Sequence, residues 1–113
     1  MAYDEVTTIR FRNALGIMEG LSEKRMMGGI CFLLHGNMIG GADQSKDGAG
    51  RFMFRIGKDN QDKGNAMPLA QPMEMGGRLM SGLFFVDAGD CDDELLRRWI
   101  ALALSFGKDL PHK

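Results

Sequence analysis

"MMGGICFLLHGNMIGG", residues 26–41, decides the fold of this chain, because it can be read as a phosphate loop, a metal site or a β-hairpin. A phosphate cradle sets its glycines between a strand and a helix N-terminus, so that backbone amides and the helix dipole converge on the anion. Here Gly28-Gly29 precedes a short apolar run from Gly29 to His35, Gly40-Gly41 leads into a loop, and no Gly-Lys-Ser/Thr follows. His35 has only Cys31, Asp43 and Asp47 as near companions, at none of the spacings of a zinc site. Gly36-Asn37, by contrast, matches a two-residue hairpin turn that needs positive φ, with Met38 to Ala42 as the return strand. The stretch is read as a structural hairpin, and "LSEKRM" ahead of it as the lead into the sheet.

Outward from the hairpin, the polar "DQSKDGAG" loops to a further strand, "RFMFRIG". Residues 58–67, "KDNQDKGNAM", allow a short helix that Gly64 weakens and Pro68 ends. "LAQPMEMGGRLMSGLFFVDAG" reads as two strands joined at Gly76-Gly77, with Pro72 pushing the first toward a sheet edge. On the N-terminal side, Tyr3, Thr7, Phe11, Ala14, Leu15 and Met18 recur at helical spacing behind Asp4 and Glu5, and Gly20 is placed to stop that helix. At the other end "DCDDELLRRWIALALSF" is the clearest helix. Asp90 is its expected cap, Leu95, Trp99, Leu102 and Phe106 its inward stripe, widened by Leu96, Ile100 and Ala103, and Gly107-Lys108 its end. Hairpins rather than crossovers link the strands. The expected fold is therefore a two-layer α+β domain with a mostly antiparallel sheet of about five or six strands and long N- and C-terminal helices.

At 113 residues the chain suits one domain, residues 1–113, with a single core and no need of disulfides or metal. With 14 basic against 15 acidic residues the formal net charge is -1, which argues against strong direct nucleic-acid binding. "MAYDEV" has no signal-peptide character, and "WIALALSF" is far shorter than a membrane span, so a cytoplasmic protein without membrane attachment is expected. Cys31 and Cys91 have no CxxC spacing and are read as one buried and one incidental thiol. Cys91 gains acidity from a helix start but loses it to Asp90, Asp92 and Asp93, and those acids lack the calcium-loop pattern. No cofactor, metal or catalytic residue is assigned. Met18, Met75 and Met80 are read as core fillers.

Strand alternation carries the functional expectation. Phe52, Phe54 and Ile56 lie opposite Arg51, Met53 and Arg55, and Ile30, Phe32 and Leu34 lie opposite Cys31, Leu33 and His35, so both faces of the sheet bear apolar side chains. If both long helices cover one face, the other presents Cys31, Leu33 and Met53 with Leu83 or Phe85, rimmed by Arg51 and Arg55. A homodimer or a regulatory protein docking there is the first expectation. The alternative is a small-ligand binder or enzyme using a pocket near His35, Arg51 and Arg55. A third reading, direct nucleic-acid contact by Arg51, Arg55 and Lys58, is weaker.

Nearly the whole chain also resembles the TfoX/Sxy N-terminal domain family of bacterial competence regulators. The resemblance is carried by "MAYDE" and the first helix, by "EKRMMGGICFLLHGNMIGG", similar to the family's Lys-x-Met-Phe-Gly-Gly and Gly-Asn-Met elements, and by "QPMEMGGRLMSGLFFV". It closes with "DDELLRRWIALALSFGKDLPHK", a tryptophan-bearing helix followed by Leu-Pro and a lysine. Met27, Gln71, Leu79 and Leu83 depart from residues common in the family. The resemblance implies an α+β domain, a stand-alone N-terminal domain without the second domain of the longer regulators, and a link to transcriptional regulation of competence. It supplies no catalytic residue.

Overall fold

The computed structural model describes residues 5–26 and 28–113. Helix α1 (Glu5–Leu15) leads into β1 (Leu21–Met26), β2 (Gly29–Leu34), β3 (Asn37–Gln44) and β4 (Gly50–Arg55). A 3₁₀ turn (Lys58–Asn60) and the short α2 (Gln61–Asn65) connect to β5 (Gln71–Met75) and β6 (Arg78–Asp87). A second 3₁₀ turn (Ala88–Asp90) precedes α3 (Asp93–Lys108). The six strands form one sheet in the order β1-β2-β3-β4-β6-β5, every neighbouring pair antiparallel. "LSEKRM" is thus a full edge strand, and Pro72 stands in the other edge strand, where a missing N–H costs no ladder bond.

The β2–β3 hairpin forms, with its turn one residue earlier than the sequence suggests. Leu34 pairs with Asn37, and the two turn residues are His35 (φ 50°) and Gly36 (φ 83°). Positive φ at both positions gives the twist that a two-residue hairpin needs. Further on, the register slips between Phe32 and Leu33, so Phe32 faces Gly40 while Leu33 faces Met38 and Ile39 is the extra residue of a bulge. Gly76 and Gly77, at φ 60° and 78°, make the second hairpin turn as expected.

Both long helices pack on the same face of the sheet, touching each other and both β3 and β4. Phe11 of α1 is fully buried and stacks on Phe32 at 4.6 Å and Phe54 at 5.6 Å between ring centroids. Trp99 of α3 lies 5.3 Å from Phe54 and 5.4 Å from Phe84. Burying aromatic rings of this size contributes more than any other contact type in a core of this length. Thr7, Phe11 and Leu15 are buried, with Ala14 and Met18 packed at the margin, as the periodicity requires; Tyr3 lies outside the described residues. Arg10 ties the helices together, donating to the carbonyls of Ala88 and Cys91 and to Asp93. Arg12 forks onto Glu23 at 2.6 and 2.7 Å, which holds that carboxyl below its usual range.

Several helix-end expectations are corrected. Helix α1 stops at Leu15, with Gly16 at φ 71°, and Gly20 instead begins the approach to β1, close beneath the His35 ring. The cap of α3 is Asp92, whose Oδ1 accepts from the Leu95 amide at 2.8 Å, while Asp90 ends the preceding 3₁₀ turn. Gly107 lies inside α3, where a β-carbon would come within 2.7 Å of Ile39. The deepest residues of α3 are Leu96, Trp99, Ile100 and Ala103, with Leu102 and Phe106 at the flanks. Both cysteines are buried and free, and Met75 is exposed at the β5 edge rather than filling the core.

Candidate protein-docking face

The helices leave the opposite face of the sheet without a covering layer from the described residues, and the strand register arranges its side chains in three rows. The central row runs Lys24, Cys31, Gly41, Met53, Phe85 and Gln71 across all six strands. On one side of it lie Asp43, Arg51 and Asp87. On the other lie Ser22, Leu33 and Met38 on β1–β3 and Arg55 and Leu83 on β4 and β6. The sequence-predicted residues Cys31, Leu33, Arg51, Met53, Arg55, Leu83 and Phe85 therefore share one surface.

Their exposure is uneven. Leu33, Met53, Leu83 and Phe85 are half-buried, whereas Cys31 is only 5% exposed among its sheet neighbours. Burial raises the Cys31 thiol's pKa, against the weaker opposing pull of Lys24, which disfavours its thiolate form. Arg51 is engaged twice: it forks onto Asp43 at 3.0 and 2.9 Å, and its guanidinium carbon lies over the Phe85 ring, 3.8 Å from the centroid. The Asp43 hydrogen bonds raise its pKa further, with Asp87 adding to the effect. Arg51 is consequently part of the floor of the face, a lid on Phe85, more than a mobile rim cation.

Arg55 stands at the other end, donating to the Met38 carbonyl at 3.3 Å with its guanidinium 5.1 Å from the Phe106 ring. It borders an open depression of about 650 Å³ lined also by Lys58, Gly82, Ser105 and Phe106. Neither His35 nor Arg51 lines that depression. His35 sits instead at the β2–β3 turn, stacked on His112 at 3.6 Å, so the three residues expected to share a ligand pocket are dispersed. Lys58 lies beyond the end of β4, and Arg51 is neutralised by Asp43, which breaks the proposed cationic stripe as well. Among the described residues no group of three His, Cys, Asp or Glu side chains could hold a metal ion, and no helix is long and apolar enough to cross a membrane.

Sequence reasoning missed Met38, Asp43 and Asp87. Met38 and Asp43 have opposite parity and reach the same face only because the bulge at Ile39 inserts one residue between them. The family model for the TfoX N-terminal domain matches residues 13–107, from within α1 almost to the end of α3. The chain belongs to the TfoX N-terminal domain family. The match spans the entire sheet, so the face described above is a surface of the family domain itself rather than of an appended segment. No curated protein and no solved structure matches the chain.

Proposed function

We infer that this TfoX N-terminal domain is a non-enzymatic, cytoplasmic protein-interaction module, a transcription or competence co-regulator that acts through a protein docked on the open sheet face. One observation carries the reading: α1 and α3 share a single face of the sheet, leaving Leu33, Met53, Leu83 and Phe85 half-exposed on the other. An apolar patch rimmed by polar groups is the usual form of an interaction surface. The family membership supports a regulatory role.

Leu33→Asp and Met53→Asp test the reading. Each is expected to retain a cooperative thermal transition while abolishing association, followed by light scattering and by crosslinked capture from native cells. If both variants unfold, the face belongs to the core and the reading fails. The ligand-binding alternative has its own check: a folded His35→Ala chain that no longer complements a deletion strain would favour it.

A further inference from the structure

The depression at the sheet's end is walled by the end of β4 and the turn after it, by residues 81–83 of β6 and by the end of α3. Two glycines shape the wall. Gly57, at φ 85° and ψ 152°, holds a conformation that essentially only glycine adopts, and a β-carbon there would collide with the Phe106 ring. Gly82, at φ 82°, passes so close to Gly57 that a β-carbon on it would lie 2.5 Å from the Gly57 carbonyl carbon. Bare backbone therefore stands where side chains would otherwise fill the space. The Gly82 amide donates to Gln61 Oε1 and its carbonyl accepts from the Ile56 amide at 2.8 Å, which fixes this wall.

Four charged side chains line the depression, Arg55 and Lys58 of one sign and Asp59 and Asp109 of the other. Opposite charges gathered in one place ordinarily neutralise one another. The ion pairs among the described residues are instead Arg10–Asp93, Arg12–Glu23 and Arg51–Asp43, and none of the four takes part in one. Arg55 is steadied by the Met38 carbonyl at 3.3 Å and by the Phe106 ring, 5.1 Å from its guanidinium carbon, which engages one of its N–H groups and leaves others to donate. Leu83 and Phe106, both half-buried, set apolar surface beside these charges.

Such a lining selects by charge. A plain anion meets two carboxylates as well as two cations, and a plain cation meets the reverse, so neither gains on balance. A molecule with one charge of each sign suits both pairs, and an apolar body gives it surface to bury on Leu83 and Phe106. We propose that this depression, about 650 Å³, binds a small zwitterion with an apolar side chain, a free amino acid or a dipeptide, its carboxylate toward Arg55 and Lys58 and its ammonium toward Asp59 and Asp109. The site shares Arg55 and Leu83 with the docking face and does not rest on that reading.

The test is titration of the isotope-labelled full chain with L-leucine and with L-leucyl-L-leucine, each to about 10 mM, followed through backbone amide NMR shifts. Saturable shifts are expected at Gly57, Lys58, Gly82 and Phe106, with a dissociation constant below about 1 mM for the better probe. Whichever probe saturates first tells a free amino acid from a peptide. The N-acetylated form of that probe lacks the ammonium and the amidated form lacks the carboxylate, and each is expected to bind at least about tenfold more weakly. Asp109→Asn and Arg55→Gln are expected to weaken binding by about tenfold as well. Lys58→Gln, at an exposed position, serves should loss of the Arg55 contacts perturb the fold, and it too should weaken binding. Absence of saturable shifts with both probes, shifts that centre on Met53 instead, an N-acetylated or amidated form that binds as well as its parent, or Asp109→Asn and Lys58→Gln chains that bind as the wild type each overturn the proposal.

Discussion

At the scale of single residues, the acidic run from Asp90 to Glu94 shows how geometry chooses among equivalent side chains. Any of the aspartates could cap a helix, and the choice falls on Asp92 because its extended backbone directs Oδ1 to the Leu95 amide at 2.8 Å. Asp92→Ala is expected to cost about 1 kcal/mol. That corresponds to a fall of roughly 4–8 °C in melting temperature for a domain of this size. Asp90→Ala should stay within about 0.5 kcal/mol, since Asp90 ends the preceding turn and caps nothing. Calorimetry of the two variants compares them directly; equal losses would place the cap elsewhere. The same dependence on local geometry separates Gly107 from the stop signal it resembles in the sequence. It is a helical residue kept small by the nearness of Ile39.

At the scale of elements, the segment after α3 is a strap over the β2–β3 hairpin. The Lys113 amide donates to the His35 carbonyl at 2.9 Å, the Asn37 side-chain amide donates to the Pro111 carbonyl at 2.8 Å, and the His35 and His112 rings stack. Asn37 is 4% exposed, so Pro111 supplies the acceptor that makes its burial tolerable. Removing residues 110–113 is expected to cost about 0.5–1.5 kcal/mol for each hydrogen bond lost, as water takes the place of the strap. Hydrogen exchange should quicken at the β2–β3 hairpin and remain slow across β4 and β6, which the strap does not reach. Unchanged exchange at the hairpin would show that the strap contributes nothing. The bulge at Ile39 is the other device at this scale, because it turns Met38 onto the open face and leaves Ile39 fully buried under the helices.

At the scale of the whole molecule, folding removes two ionisable thiols from water at separate places, Cys91 beneath Arg10 at the start of α3 and Cys31 in the sheet. Burial, opposed by Arg10 and reinforced by Asp92 and Asp93, pushes the Cys91 thiol up to about 11 from an ordinary 9.0. Between those values the unfolded chain releases a proton that the folded chain retains, so stability should fall as pH rises from about 9 toward 11. Urea unfolding at successive pH values measures this, and Cys91→Ala should flatten the decline relative to the parent; identical slopes would refute it. The outline of the molecule was legible in the sequence alone. Local periodicity dictates α1 and α3, turn chemistry dictates both hairpins, and Pro72 dictates an edge strand, because each depends on residues within a turn or two of one another. Alternation in "RFMFRIG" likewise identifies Arg51, Met53 and Arg55 as one set. Tertiary structure decided which face the helices cover, that Arg51 lies on Phe85 beside Asp43, that a bulge brings Met38 and Asp43 to the same surface, and that His35 meets His112. Those outcomes join residues from different strands, or from the two ends of the chain, and their geometry depends on register and sheet twist. No local pattern encodes that information, since only the assembled core selects among the registers that the individual strands would accept.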